Sequence, residues 1–202
     1  MKRVLWDVDT QVDFVHADGK LAVPDAEGVV AAMARLVEAA RLAGIPHVAS
    51  ADDHELTDAE ISEEPDYSTT YPPHCLRGTR GAEKIVETQQ VDPVPLALTE
   101  VPEKWLRGRE FLLLKKSFDV FTNPNAERLL ELLDPGEVVL FGVATDVCND
   151  AAIRGLLARG RTVTFVEEAS RGLDEARTLA CTTAWREGGV RFATVSEAVA
   201  GL

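Results

Sequence analysis

The feature that most constrains this chain is the unbroken apolar run Val138, Val139, Leu140 and Phe141, followed by Gly142, Val143, Ala144, Thr145 and Asp146. A strand with one wet face alternates polar and apolar residues. A run without alternation suits a central parallel strand covered on both sides. The spacing predicts a strand over Val138–Val143, a narrow turn at Gly142 and Ala144, and a helix starting near Asp146, with Thr145 and Asp146 as its capping residues. Cys148 then falls in the first helical turn. Free backbone N–H groups and the positive end of the helix dipole are expected to favour its thiolate there. An α/β enzyme places a nucleophile at such a junction; a small cysteine that merely fills it has the same local sequence.

The other segments repeat this grammar. Strands are predicted at Arg3–Val8, Pro46–Ala51, Phe111–Lys115, Thr162–Val166 and Val190–Thr194, the last before a terminal turn. Between them lie helices at about Ala26–Ala43, Asn125–Leu133 and Asp174–Glu187. Strands alternating with helices, without internal repeat, imply one doubly wound α/β domain over residues 1–202, with helices on both faces of a parallel sheet. Ligands in such sheets bind at the carboxyl ends of the strands. Asp9, Asp52, His54, Lys115 and Cys148 all stand at or just beyond predicted strand ends. Glu55 to Arg80 is long, polar and broken by Pro65, Pro72, Pro73 and Gly78, as a functional loop would be.

Composition excludes several classes of partner. A net charge of −13 argues against nucleic acid and anionic membrane, and favours a small-molecule substrate. Cys75, Cys148 and Cys181 are odd in number and widely spaced, which is no disulfide framework. The N-terminal stretch is too acidic for a signal peptide, and no segment approaches the roughly 20 apolar residues of a membrane helix. A cytoplasmic protein is expected.

The candidates make joint chemical sense. A cysteine nucleophile needs a base, which Asp9 offers, and a positive charge, which Lys115 offers; alternation turns Lys116 to the other side. The turn at Ala144 and the amide of Cys148 suit an oxyanion hole. Asp52-x-His54 and the later His74 form an O,N,N set suited to a divalent metal, zinc foremost, with iron or manganese as alternatives. Glu60, Glu63, Glu64 and Asp66 are all available as a further oxygen ligand, and the sequence does not choose among them.

These residues carry a resemblance over nearly the whole chain to the isochorismatase-like cysteine hydrolases, and most closely to their nicotinamidase branch. Asp9-x-Gln11-x-Asp13-Phe14 resembles the family's D-x-Q-x-D-F. Asp52-x-His54 and Tyr71-Pro72-Pro73-His74-Cys75 followed by Gly78-Thr79 resemble its metal-binding D-x-H and W-P-x-H-C-x-x-G-T. Gly142-Val143-Ala144-Thr145-Asp146-Val147-Cys148 is similar to G-x-A-T-D-x-C, and Lys115 precedes Phe121 as the family's lysine precedes its S-A-F motif. The resemblance implies a six-stranded parallel sheet, an Asp9–Lys115–Cys148 triad and a cis peptide at Val143-Ala144. It further implies a metal that binds the ring nitrogen of nicotinamide, a pocket in which Phe14 and Tyr71 flank the ring, and a homo-oligomer.

The chain also departs from that pattern. Tyr71 stands for the usual tryptophan, acids replace the histidine-rich stretch after His54, and Phe118-Asp119-Val120-Phe121 replaces the usual tyrosine and S-A-F. Asp7 occupies a normally apolar strand position and Asn149 the apolar position after the nucleophile. The expected activity is hydrolysis of nicotinamide through a Cys148 thioester. The alternatives are a cysteine amidase or carbamoyl hydrolase acting on another small amide, or a catalytically retired binding protein of the same fold.

Overall fold

The computed structural model describes residues 2–202. Its centre is the strand pair that the apolar runs predict. β1 (Arg3–Val8) is hydrogen-bonded on one side to β2 (His47–Asp52) and on the other to β5 (Glu137–Val143), both parallel. β3 (Val94–Leu96) and β4 (Glu110–Lys115) extend the β2 side, while β6 (Thr162–Arg171) and β7 (Arg191–Ala193) extend the β5 side. The order is β3-β4-β2-β1-β5-β6-β7, parallel throughout. The sheet therefore has seven strands, where six were expected. The extra one is Val94-Pro95-Leu96 on the outer edge, the position where a proline's missing N–H does least harm.

The central strands are buried on both faces because their two sets of side chains feed separate cores. Val4, Trp6 and Val8 of β1 point to one face, where they join Leu129 of α3 (Pro124–Leu133), Ile153 and Leu156 of α4 (Asp150–Ala158), and Trp185 of α5 (Glu175–Glu187). Leu5, with Val139 and Phe141 of β5, meets Met33, Leu36, Val37 and Ala40 on the opposite face. Those four residues form the inner stripe of the helix Val30–Ala43. Each fully buried Leu, Met or Phe here contributes about 1.5–3 kcal/mol of hydrophobic stabilisation before the entropy cost of ordering.

Local departures from the sequence reading have local causes. A short helix, Val12–Val15, follows β1 and is α1, which makes Val30–Ala43 α2. The expected Ala26–Ala43 helix begins instead with a separate 3-10 turn at Glu27–Val29. The expected terminal turn is a helix, α6 (Val195–Gly201), closed at its start by a Thr194–Glu197 capping box. Within β5, Gly142 has φ 128, and a Cβ there would lie 2.1 Å from the carbonyl oxygen of Val8. Only glycine lets β5 approach β1 so closely just before the Cys148 turn. No helix among the described residues is long and apolar enough to cross a membrane.

Candidate active site

Four adjacent strands, β4, β2, β1 and β5, bring Lys115, Asp52, Asp9 and Cys148 to the carboxyl edge of the sheet. Asp52 and Lys115 are direct neighbours in the β2–β4 register. Asp9, just past β1, adopts the left-handed conformation with φ 50. Its Oδ1 accepts a hydrogen bond from Ser50 Oγ at 2.7 Å, and its Oδ2 forms an ion pair with Lys115 Nζ at 2.8 Å. The ammonium also lies 2.5 Å from Asp52 Oδ1 and 3.6 Å from Cys148 Sγ. Lys116 turns away as alternation requires and pairs with Asp58. The structure thus brings the three expected catalytic side chains together and adds Asp52 as the lysine's second carboxylate.

This clustering sets the charge states. Burial would discharge Lys115, but Asp52 and Asp9 outweigh it and hold the ammonium well above its usual range. Asp52 is pushed up by burial, yet Lys115, His54 and His74 together hold it well below the ordinary carboxylate range. At Asp9 burial prevails over Lys115, with Asp52 adding repulsion, and its pKa is raised. Cys148 is likewise pushed well above the ordinary thiol, chiefly by burial, with Asp9 and Asp52 opposing the help from Lys115. Burial and the two acids thus oppose the thiolate that Lys115 and the helix start favour.

The turn before Cys148 also differs in detail from the reading. The Val143–Ala144 peptide is cis, and Thr145–Asn149 forms a wide π-type turn before α4 begins at Asp150. The N–H groups of Val147 and Asn149 both donate to Ala144 O, each at 3.1 Å. Asp146 does not cap its own helix. Its carboxylate instead accepts from the N–H groups of Leu173 and Asp174 and from Arg177 Nε. Arg177 also donates to the carbonyl of Tyr67, which ties the nucleophile turn to the loop after β2. Asn149 is buried and donates to Gly142 O at 3.0 Å.

Beside the lysine stands a second group of donors. His54 Nδ1 is held 3.3 Å from Asp58, and His74 Nδ1–H donates to Pro72 O at 2.7 Å. Both rings therefore turn Nε2 inward, to 3.7 and 3.5 Å from Asp52 Oδ2. Glu60 Oε1 lies 3.9 Å from His54 Nε2. One donor atom each from Asp52, His54, Glu60 and His74 lies within 4.8 Å of the others, and all four residues are buried. Asp52 Oδ2 and His54 Nε2 have no hydrogen-bond partner despite that burial. Two imidazoles and two carboxylates converging with orphaned atoms fit a divalent cation of the zinc, iron or manganese class. Of the four acids left open by the sequence, Glu60 is the one that joins this donor group. Glu63 and Glu64 are exposed, and Asp66 spends its carboxylate on the N–H groups of Ser68, Thr69 and Thr70.

The D-x-Q-x-D stretch explains how these two groups are held in register. Gln11 clamps the backbone of Asp52 from both sides, accepting from its N–H at 2.7 Å and donating to its carbonyl at 2.8 Å. Asp13 accepts from the N–H of Cys75, next to His74, at 2.7 Å. A Cβ at Gly81 would strike the Asp13 carboxylate at 2.2 Å, so that clamp also needs a glycine. Ser50 and Asp58 are supporting residues that sequence reasoning missed; the only local signal of Ser50 is a polar residue inside an otherwise apolar strand, and Asp58 has none. Phe14, Tyr71, Leu173 and Val147 wall a cavity of about 20 Å³ over Cys148 and His74. The ring centroid of His74 is 5.2 Å from that of Phe14 and 6.3 Å from that of Tyr71.

Comparison with known proteins identifies the family. The isochorismatase domain model matches residues 4–198. The nicotinamidase/pyrazinamidase of Mycobacterium tuberculosis is 27% identical over 197 residues, covering 94% of this chain and 97% of that protein. Among solved structures, N-carbamoylsarcosine amidase from Thermoplasma acidophilum superposes with a TM-score of 0.75 at 25% identity, over 96% of this chain and 97% of the other. The pyrazinamidase of Pyrococcus horikoshii, solved in complex with zinc, gives 0.73 at 20% identity over 96% and 99%. The sheet order and the match over nearly the whole sequence make this chain a member of the isochorismatase family of hydrolases.

Proposed function

We propose that this hydrolase is a metal-containing cysteine amidohydrolase that converts nicotinamide to nicotinate and ammonia. The observation that carries the reading is the shared position of Asp52. One of its oxygens holds the lysine of the catalytic group, and the other faces His54 and His74 in the donor cluster. Cys148 Sγ and oxygens of Asp9 and Asp52 also lie within 4.8 Å of one another. A nucleophile and a cation site this close suit a small molecule with an amide at one point of a ring and a donor atom at another. Asp52, His54, Glu60 and His74 would hold the metal, which when bound would anchor the ring nitrogen as a Lewis acid.

The protein's own residues carry the remaining steps. Asp9 takes the thiol proton of Cys148 as sulfur attacks the carboxamide carbon, and Lys115 stabilises the negative charge that develops. Amides of Ala144 and Cys148 receive the oxyanion. Asp9 returns the proton to the departing nitrogen, ammonia leaves, and a thioester remains. Water, deprotonated by Asp9, hydrolyses it and restores the thiol. Amide plus water thus gives acid plus ammonia, with no net proton taken from the protein. Phe14 and Tyr71 would flank the ring. A second reading, a carbamoyl or aliphatic amide, is favoured by Tyr71 in place of a tryptophan, which weakens the stacking surface for a ring.

The deciding experiment is ammonia release from nicotinamide by purified protein before chelation, after it, and after metal return. Release that follows the metal supports the nicotinamidase reading. Absence of release from metal-loaded protein that hydrolyses another small amide would replace nicotinamide by that substrate.

A further inference from the structure

A second lysine is buried beneath the turn that carries Asp9. Lys84 Nζ lies 2.7 Å from Asp7 Oδ2 and 2.7 Å from Thr10 Oγ1. Thr10 Oγ1 donates to Asp7 Oδ1 at 2.8 Å and lies 2.6 Å from Thr88 Oγ1. With its one proton committed to Asp7, the Thr10 hydroxyl accepts from both Lys84 and Thr88, so its capacity is used in full. His47 Nε2 completes the group at 3.4 Å from Asp7 Oδ2. Asp7, Thr10 and Thr88 have no exposed surface, and the Lys84 side chain is 7% exposed.

An ion pair in this position is not the natural way to fill a core. Asp7 projects from β1 to the same face as Leu5, and well-packed apolar residues in place of a buried pair are commonly as stable or more so. The pair has a different distinction, which is what it grips. Thr10 follows Asp9 directly, and Asp9 sits at φ 50 with its N–H on Ser50 O and its carbonyl accepting from Gln11 N–H. The segment bearing Lys84 runs behind that turn. Ile85 N–H donates to Thr10 O at 2.9 Å, Val12 N–H donates to Glu83 O at 2.9 Å, and Gln11 Nε2 donates to Ala82 O at 2.8 Å. A non-glycine residue with positive φ persists only where its surroundings over-determine it.

We infer that Lys84, acting through Asp7 and the Thr10 hydroxyl, is a positioning residue that fixes the turn aiming the Asp9 carboxylate at Cys148. The inference rests on the reading of Asp9 as the base in amide hydrolysis. Lys84 itself touches none of the reacting groups. The ammonium, the carboxylate and two hydroxyls form a strut from the 82–88 segment to the backbone of residue 10, and residue 9 takes its direction from that strut. A misplacement of the base by a fraction of an ångström is felt in the chemical step and not in substrate binding.

Two variants test it. Thr10→Val cuts the link to the turn and leaves the Asp7–Lys84 pair in place. Asp7→Asn with Lys84→Met removes both charges together, so that no unpaired charge remains buried. Four quantities are measured: kcat and KM for ammonia release from nicotinamide, the rate at which iodoacetamide modifies Cys148 (followed by peptide mass), and the thermal midpoint. The expected result in both variants is a kcat lowered by about 10- to 100-fold, a KM within about threefold, and Cys148 modification slowed in parallel. A purely structural pair would lower the midpoint of the double variant and leave kcat per folded molecule and Cys148 modification unchanged in both. Rates within about twofold of the parent in folded Thr10→Val overturn the inference, whatever the double variant does. Modification of Cys148 needs no substrate. A parent protein inactive on nicotinamide would therefore count against that substrate, while the modification rates alone decide on Lys84.

Discussion

Two lysines are buried at the carboxyl end of β1, and they live under opposite conditions. Lys84 is surrounded by one carboxylate and a threonine hydroxyl, and the Thr10 hydroxyl it bonds uses all of its capacity. Lys115 is shared between Asp9, Asp52 and the Cys148 thiol, and around it Asp9 Oδ2 and Asp52 Oδ2 lack an aligned hydrogen-bond donor. The first arrangement gives its cation a single acid to hold, although His47 Nε2 beside Asp7 is itself left without a hydrogen-bond partner. The second has two acids competing for one cation, so a proton can be relocated at small cost. Buried charge alone therefore does not mark a reactive site; a buried cation shared between two acids beside a thiol does.

The comparison can be broken most severely at the thiol. Cys148→Ala is expected to lower amide hydrolysis by more than about 10⁴-fold with the circular dichroism spectrum unchanged, since the nucleophile is gone and the fold is not. Lys115→Met comes next. It leaves Asp9 and Asp52 buried without their cation, and should both abolish turnover and cost about 3–5 kcal/mol in a denaturant titration, unless one acid takes up a proton. A folded Lys115→Met protein with parental activity would remove the lysine from the mechanism.

The donor cluster should respond more moderately. A divalent ion present at about 1,000 times its Kd raises stability by about 4 kcal/mol, and chelation should remove that gain. Glu60→Gln should weaken the ion's binding in a calorimetric titration, whereas Glu63→Gln, on the exposed part of the same loop, should leave it unchanged. Equal affinities in the two variants would strike Glu60 from the ligand set.

The smallest expected effect sharpens the comparison within one strand end. At Asp7 burial pushes the pKa up, but Lys84 and His47 outweigh it, so the folded value lies below the unfolded one. Its stabilising contribution is present above the unfolded pKa and disappears as the pH falls through the folded value. At Asp9 burial wins and the folded pKa is raised. That residue favours the fold at low pH and loses the contribution as the pH rises through its folded value. At neutral pH Asp7→Asn should therefore lower the thermal midpoint and Asp9→Asn raise it, with Asp9→Asn inactive. Shifts of the same sign would erase the distinction drawn between the two acids.

Much of this was legible in the residues themselves. The four strands that carry the site are apolar runs ending in Asp9, Asp52, Lys115 and the turn to Cys148, and a parallel sheet gathers such ends without further instruction. Val94–Leu96 escaped notice because Pro95 and the nearby Pro93 mask a three-residue edge strand. Glu60 could not be told from its neighbours because tertiary contacts place it. Its carbonyl accepts from Tyr71 N–H and its Oε2 from Phe118 N–H, and neither bond has a local pattern. The Lys84 strut joins residues 77 positions apart, beyond any periodicity. The charge state of Cys148 depended on burial and on two acids from other strands, which only the assembled sheet reveals.

The cavity above the nucleophile has a further bearing on how the protein works in time. At about 20 Å³ it is narrow, and Phe14, Tyr71, Val147 and Leu173 crowd the approach to Cys148. One of those walls, the loop carrying Glu60 and Tyr71, is fastened across the opening by the Arg177 bond to Tyr67 O, and the same arginine grips Asp146 below. If entry of a substrate requires that fastening to give, the opening of this loop would bound turnover however fast the sulfur reacts once reached.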